Sequence, residues 1–251
     1  MKETNMPLRG TVSLPGRAEP QLGSGFDPTS GADRPREWYS RGYLPHCDYP
    51  GLLQTITYRL ADSLPTEVLA WMERDLLNMV PNQANTLRRK HLDTQLDAGH
   101  GCCILRDPRA AECVVDTWRH FAGERYDLIA WVVMPNHVHV LIRVYEGMAL
   151  GKIVQSWKSY TGRKIAQIER ECRAGARRSQ GDECRAGALR SQDRVWMREY
   201  WDRFIRDERH FSSAVNYIHD NPVRVGLIRR AEDWPWSSAM EWASEHGKAA
   251  R

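Results

Sequence analysis

His137 and His139 flank Val138 in the run Trp131-Val-Val-Met-Pro-Asn-His-Val-His-Val-Leu-Ile-Arg143. On a strand alternate side chains share a face, so both imidazoles point one way while Val138 and Val140 point the other. Two neutral imidazoles aimed at one point can hold a divalent cation, but a working site needs a further ligand and a group for the metal to act upon. Tyr217-Ile-His-Asp-Asn-Pro222 offers both. Tyr217 and Asn221 are four residues apart, so on a helix they share a face about one turn from each other. The phenol is a potential nucleophile, and the amide oxygen a hard ligand beside it. Taken alone, a His-x-His on an apolar strand is more often structural, and a lone tyrosine is more often a packing residue. Tyr160, in Ser156-Trp-Lys-Ser-Tyr-Thr161, is the rival nucleophile, without an amide or imidazole ligand one turn away.

These residues need a frame. Gly51–Leu60 is rich in β-branched and aromatic residues and reads as a strand ended by Ala-Asp-Ser-Leu-Pro65. Helical periodicity follows from about Thr66, with Leu69, Met72 and Leu76 on one face, and again through Asn85 to Leu96. Asp107-Pro108 opens another helix, bearing Val114, Val115, Trp118 and Phe121. Tyr126–Met134 and His137–Val144 are apolar strands joined tightly by Pro135-Asn136, which argues for antiparallel neighbours. Leu150 to about Arg170 reads as helix, Val195 to about Arg206 as extended, and about Glu208 to Asn221 as the helix of Tyr217, with Pro222 placing Asn221 at its end. Without the inserted helices the order is β-α-β-β-α-β. It predicts an α+β, ferredoxin-like antiparallel sheet with helices on one face, plus inserted helices and a flexible loop.

A chain of 251 residues with 41% hydrophobic and 27% charged residues fits one soluble globular domain. Residues 1–37 mix Pro, Gly, Ser and charge without periodicity and are expected to be disordered; residues 38–245 form the domain, and 246–251 a tail. Within the domain, residues 171–182 are repeated by 183–194 with nine of twelve positions identical. Two copies of a Gly-, Ser- and Arg-rich unit are too few and too polar to stack, so 171–194 reads as a flexible duplicated insertion. No apolar run is long enough to cross a bilayer, nor is there the apolar core of a signal peptide, and a cytoplasmic protein is expected. The six cysteines show no paired metal spacing and suit reduced thiols. Net charge is +4, but 17 Lys/Arg stand against 10 Asp/Glu between Lys158 and Arg230, where a polyanion would be attracted.

His137-Val-His139, then Tyr217-Ile-His-Asp-Asn-Pro-Val223, then Asp233-Trp-Pro-Trp-Ser-Ser238 stand in an order that resembles the single-tyrosine HUH transposases, particularly the REP-associated tyrosine transposases of bacteria. The similarity runs from about Arg41 to Trp242, with supporting pieces at Tyr43-Leu-Pro-His46, Thr57-Tyr-Arg-Leu-Ala-Asp62 and Asp202-Arg-Phe-Ile-Arg-Asp207. The resemblance implies a metal-dependent single-stranded DNA endonuclease and strand transferase, cutting and rejoining repetitive palindromic hairpin DNA through a 5′-phosphotyrosine. His137, His139 and Asn221 would hold Mg²⁺ or Mn²⁺, and Tyr217 would attack. Arg41, Lys158, Arg163, Lys164, Arg203, Arg206 and Arg224 are candidate DNA contacts, and Trp157, Trp196 and Trp201 candidate stacking partners for unpaired bases. His219 is expected to point away from the site, exposed or touching DNA, and Glu232–Ser238 to pack on the domain. The expected partner is single-stranded or hairpin DNA, with no membrane, and the chain is expected to be a monomer or homodimer. Two rivals stand: a catalytically silent hairpin-binding protein, and a metal-dependent hydrolytic nuclease that activates water.

Overall fold

The apolar runs on either side of Pro135-Asn136 produce two paired antiparallel strands. The computed structural model describes residues 38–40, 45–47, 51–65, 67–68, 91–176 and 194–246. In chain order these form β1 (Trp38–Ser40), β2 (Pro45–Cys47), β3 (Leu53–Arg59), α1 (Pro108–His120), β4 (Tyr126–Val133), β5 (His137–Val144), α2 (Leu150–Ala176), β6 (Trp201–Phe204), α3 (Glu208–Arg224) and α4 (Ala239–His246). Residues 91–97 are also helical. β1 and β2 pair with each other, and the other four strands form one antiparallel sheet in the order β4-β5-β3-β6. The first strand of the unit therefore lies between the third and fourth, which is the ferredoxin-like arrangement.

The register sets what stands beside the histidines. Thr57 is opposite His139 and Arg59 opposite His137 across β3 and β5. On one face of the sheet, Ile56, Tyr58, Trp131, Val138, Val140 and Ile142 pack against α1 and α2 through Val114, Trp118, Ile153 and Trp157. The other face, with Leu53, Val132, Met134 and Leu141, is covered by Ala214, Val215 and Ile218 of α3. The α+β class holds, and α1 and α2 keep to one face as expected; α3 lies on the other. β5 is buried almost throughout, the signature of a strand covered on both sides.

Five aromatic rings knit the first face together, and their polar atoms are satisfied. Trp118 Nε1 donates to Tyr58 Oη at 3.1 Å, Trp157 Nε1 to Tyr126 Oη at 3.0 Å, and Tyr126 Oη to the Trp118 carbonyl at 2.7 Å. Trp196 Nε1 donates to Thr161 Oγ1 at 2.8 Å. Trp157 and Trp196 are thus core residues, unavailable to stack on bases, because their rings are worth more buried here than wetted.

Several boundaries differ from the sequence reading. Only Trp201–Phe204 of the extended 195–206 stretch joins the ladder, preceded by a single bridge from Trp196 to Leu60. α2 continues beyond Arg170 to Ala176, so the duplicated segment begins as helix; its remainder, 177–193, lies outside the described residues, as do 1–37, Arg41, most of the 66–90 helical stretch and 247–251. α3 passes through Pro222 to Arg224. Proline removes one N–H, and the last turn is held instead by Val225 N to the Asn221 carbonyl at 3.3 Å and Leu227 N to the Pro222 carbonyl at 2.9 Å.

Candidate active site

His137 and His139 leave β5 on the face covered by α3, and their Nε2 atoms stand 3.1 Å apart. Their outer nitrogens are anchored. Asn136 donates through Nδ2 to the His100 carbonyl at 3.0 Å, which leaves its Oδ1 to face His137 Nδ1 at 2.8 Å. An amide oxygen only accepts, so His137 carries its proton on Nδ1 and presents a lone pair at Nε2. His139 Nδ1 meets Thr57 Oγ1 at 2.7 Å, the partner that the strand register places there. Outer hydrogen bonds of this kind fix ring orientation and tautomer in metal-binding histidines. Burial, then His139 and Arg224, hold His137 well below the usual imidazole range, so it stays neutral.

Asn136 and Thr57 escaped the sequence reading as site residues. By sequence Asn136 is part of a tight turn and nothing more, and Thr57 acquires a role only once β3 pairs with β5. The loop that supplies the His100 carbonyl depends on Gly101, whose φ is +88° and whose hypothetical Cβ would lie 2.6 Å from the Asp62 carbonyl oxygen. Only glycine fits there.

α3 starts at Asp207, which accepts from His210 N at 2.7 Å, and lays its apolar stripe on the sheet. Tyr217 consequently rests edge-on against His139, ring centroids 5.3 Å apart. Its hydroxyl is buried, with the Arg224 guanidinium beside it but outside good hydrogen-bond geometry. Burial, with Asp93, pushes the phenol above its ordinary range, and Arg224 works against that rise. The Arg224 guanidinium lies 4.9 Å from the Tyr217 ring centroid and donates to Asp97 Oδ2 at 2.7 Å. Tyr160, by contrast, is exposed on α2, which packs on the opposite face of the sheet.

Asn221 is wholly buried one turn beyond Tyr217, and neither its Oδ1 nor its Nδ2 has a hydrogen-bond partner among the described residues. An orphaned buried carboxamide costs about 1–3 kcal/mol. It is the sort of debt that a ligand would relieve. Among the described residues no cluster of three His, Cys, Asp or Glu side chains is placed to hold a metal.

Tyr217 and His139 line a cleft of about 240 Å³ with Thr55, Trp201, Asp202 and Arg203. Of the candidate DNA contacts, Arg203 opens onto this cleft and Arg224 sits over Tyr217. Arg206 is exposed beside the Phe204 ring. Lys158, Arg163 and Lys164 are on α2, behind the sheet. His219 is buried, not exposed: its Nε2 is 2.9 Å from Ser238 Oγ and its ring packs against Trp242. The reason is a strap formed by Trp234–Ser238. Trp236 and Trp131 carbonyls accept from Val133 and Ser238 amides at 2.8 and 3.0 Å, fastening the strap to the outer edge of β4 and closing over α3.

Residues 115–180 match the protein family described as Transposase IS200 like, a span that includes β4, β5 and both histidines. A putative REP-associated tyrosine transposase of Haemophilus influenzae is 27% identical over 45% of this chain and 58% of its own length. The REP-associated tyrosine transposase of Escherichia coli K12 is 24% identical over 45% of the chain and 54% of its own. The chain is similar to the REP-associated tyrosine transposases. It spans little more than half the length of these transposase relatives. A solved structure of a REP-associated tyrosine transposase bound to a REP hairpin aligns with a TM-score of 0.41 at 18% identity, over 81% of this chain and 82% of that one. The family span holds the histidine pair and ends before α3, where Tyr217 and Asn221 reside.

Proposed function

We propose that this chain is a single-tyrosine DNA strand transferase, cutting and rejoining single-stranded DNA beside hairpins of repetitive palindromic elements. The observation that carries the reading is the edge-on contact of Tyr217 with His139, whose Nε2 faces that of His137. Two ligands about 2.1 Å from one cation and at right angles to each other lie about 3 Å apart. The histidine pair, the neutrality of His137 and the orphaned carboxamide of Asn221 therefore fit a divalent ion, Mg²⁺ or Mn²⁺, held by His137, His139 and Asn221. When bound, it would neutralise phosphate charge and so ease attack.

Tyr217 would supply the nucleophile. Its phenolic oxygen bonds to phosphorus, the bond from phosphorus to the 3′ oxygen breaks, the phenolic proton passes to solvent, and the 3′ oxygen takes up a proton to end as hydroxyl. A 3′-OH attacking the phosphotyrosine reverses these changes, so rejoining needs no ATP. Arg224 and Arg203 offer positive charge beside the attacking group, and the half-buried Trp201 offers an apolar wall for an unpaired base.

The test is incubation with Mn²⁺ and 5′-phosphate-bridged, labelled single-stranded hairpin DNA, comparing the native chain with Tyr217→Phe on a denaturing protein gel. Label retained by the native chain and lost in the variant is the expected result. DNA bound without covalent label under any metal would favour the silent binder, and cleavage surviving in Tyr217→Phe would favour the hydrolytic nuclease.

A further inference from the structure

The chain between β3 and α1 leaves the sheet and returns to its starting point. Cys102 N donates to Asp62 Oδ2 at 2.7 Å, which pins the two ends of this excursion together. Its described helix, residues 91–97, lends Leu92, Asp93 and Leu96 to the lining of the Tyr217 cleft. One turn beyond Asp93, Asp97 holds Arg224 at 2.7 Å over the Tyr217 ring. The helix is seated on a small apolar cluster of Leu64, Leu92 and Leu96 with Val68 and Trp201, separate from the two cores of the sheet. Its end is marked by Gly99, whose N–H donates to the Leu96 carbonyl at 3.0 Å and whose φ is +69°. Past Gly99 the loop is fixed again, with the His100 carbonyl bonded to Asn136 and Gly101 against the Asp62 carbonyl.

We propose that residues 91–97 form a lid over Tyr217, latched by Asp97 on Arg224 and pivoting at Gly99, which swings out before a phosphodiester reaches the phenol. Its purpose rests on the strand-transfer reading above; its mechanics do not. Access is the first argument. A nucleophile has to touch phosphorus, yet the Tyr217 hydroxyl and the whole Asn221 side chain are buried. Asp93, Arg224 and Asp97 all act electrostatically on the phenol, and two of the three belong to this helix. The sign of that charge is the second argument. With the helix in place, two carboxylates confront any incoming phosphate and one of them occupies the guanidinium that would attract it. Moving the helix removes both carboxylates and releases Arg224 in a single step. The third argument is energetic. The Arg224 and Asp97 side chains are 43% and 16% exposed, and a partly wetted ion pair is weak. With only a small cluster beneath it, the helix can open locally while the sheet and α3 keep their own cores.

Hydroxyl-radical footprinting of the full chain, without DNA or metal and read residue by residue by mass spectrometry, tests the lid whether or not the chain cuts DNA. Leu92 and Leu96 are 2% and 1% exposed and should react slowly in the native chain. Asp97→Asn breaks the latch and is expected to raise oxidation of Leu92, Leu96 and Tyr217 about two- to fivefold, the factor that a weak ion pair supplies. Arg224→Gln, which breaks the same latch from the other side, should match it at both leucines, and the double variant should go no further than the larger single effect. Leu96→Ala loosens the seat without touching the ion pair and should raise Leu92 and Tyr217 in the same direction. Tyr126 and Ile142, wholly buried on the sheet, should stay protected throughout. Leu92, Leu96 and Tyr217 unchanged in the variants, a rise at the leucines without Tyr217, or a rise shared by Tyr126 and Ile142 would each overturn the proposal.

Discussion

Arg224 and Asp97 form an ion pair at 2.7 Å directly over the Tyr217 ring. Asp97 has a second oxygen, Oδ1, that is buried without a hydrogen-bond partner among the described residues, and burial raises its pKa despite the opposing pull of Arg224. The carboxylate therefore occupies the guanidinium that a phosphate entering the cleft would use. Asp97→Asn is expected to raise affinity for a short single-stranded oligonucleotide by about three- to tenfold, up to ~1.4 kcal/mol. Arg224→Gln should lower it by a similar factor. Titration of a labelled oligonucleotide measures both, and parallel changes in the two variants would sink the idea.

Asn136 should govern metal affinity without touching the metal. Losing an outer hydrogen bond to a ligating histidine typically costs about 10–100-fold in affinity. Calorimetric titration with Mn²⁺ is expected to show that loss in Asn136→Ala, and a complete loss of binding in His137→Ala. In the native chain, Mn²⁺ at a hundredfold excess over its dissociation constant should stabilise the fold by about 2.7 kcal/mol. Equal melting temperatures with Mn²⁺ and with chelator would contradict the site.

How much of this could be read beforehand depends on the range of the interaction. The strand pair around Pro135-Asn136 and the helix of Tyr217 follow from local periodicity, and their boundaries lie within a few residues of expectation. His137, His139 and Tyr217 come together as their types and spacing suggested. Contacts across the fold were not legible. Thr57 faces His139 only through register, and Arg224 finds Asp97 across 127 positions of chain. His219 turns inward because the strap bearing Ser238 folds over α3, a tertiary event with no local signature.

His219 gives stability a pH dependence. Burial pushes its pKa down to about 4, though Asp220 and Glu232 pull the other way, against an ordinary value of 6.5. The neutral form is favoured in the fold, so the contribution is complete above about pH 6.5 and is lost as pH falls toward 4. His137 acts in the same direction. Melting temperature should therefore drop between pH 7 and 5, and His219→Gln should shallow that drop without abolishing it. A variant slope as steep as the native one would assign the effect elsewhere.

Gly101→Ala should cost about 2 kcal/mol or more, because φ of +88° and the contact with the Asp62 carbonyl both oppose a side chain. Denaturant unfolding measures the loss. Since the same loop presents the His100 carbonyl to Asn136, Mn²⁺ affinity should fall with it; a destabilised variant with native affinity would show that the loop relaxes without moving Asn136.

The Trp234–Ser238 strap also decides how copies of the chain can meet. β4 is a terminal strand of the four-stranded sheet, and Ser237 already bridges to Val132 along its outer side. A sheet shared between two molecules could not be extended along Trp131–Val133, because that end of the border is sealed from within by its own chain.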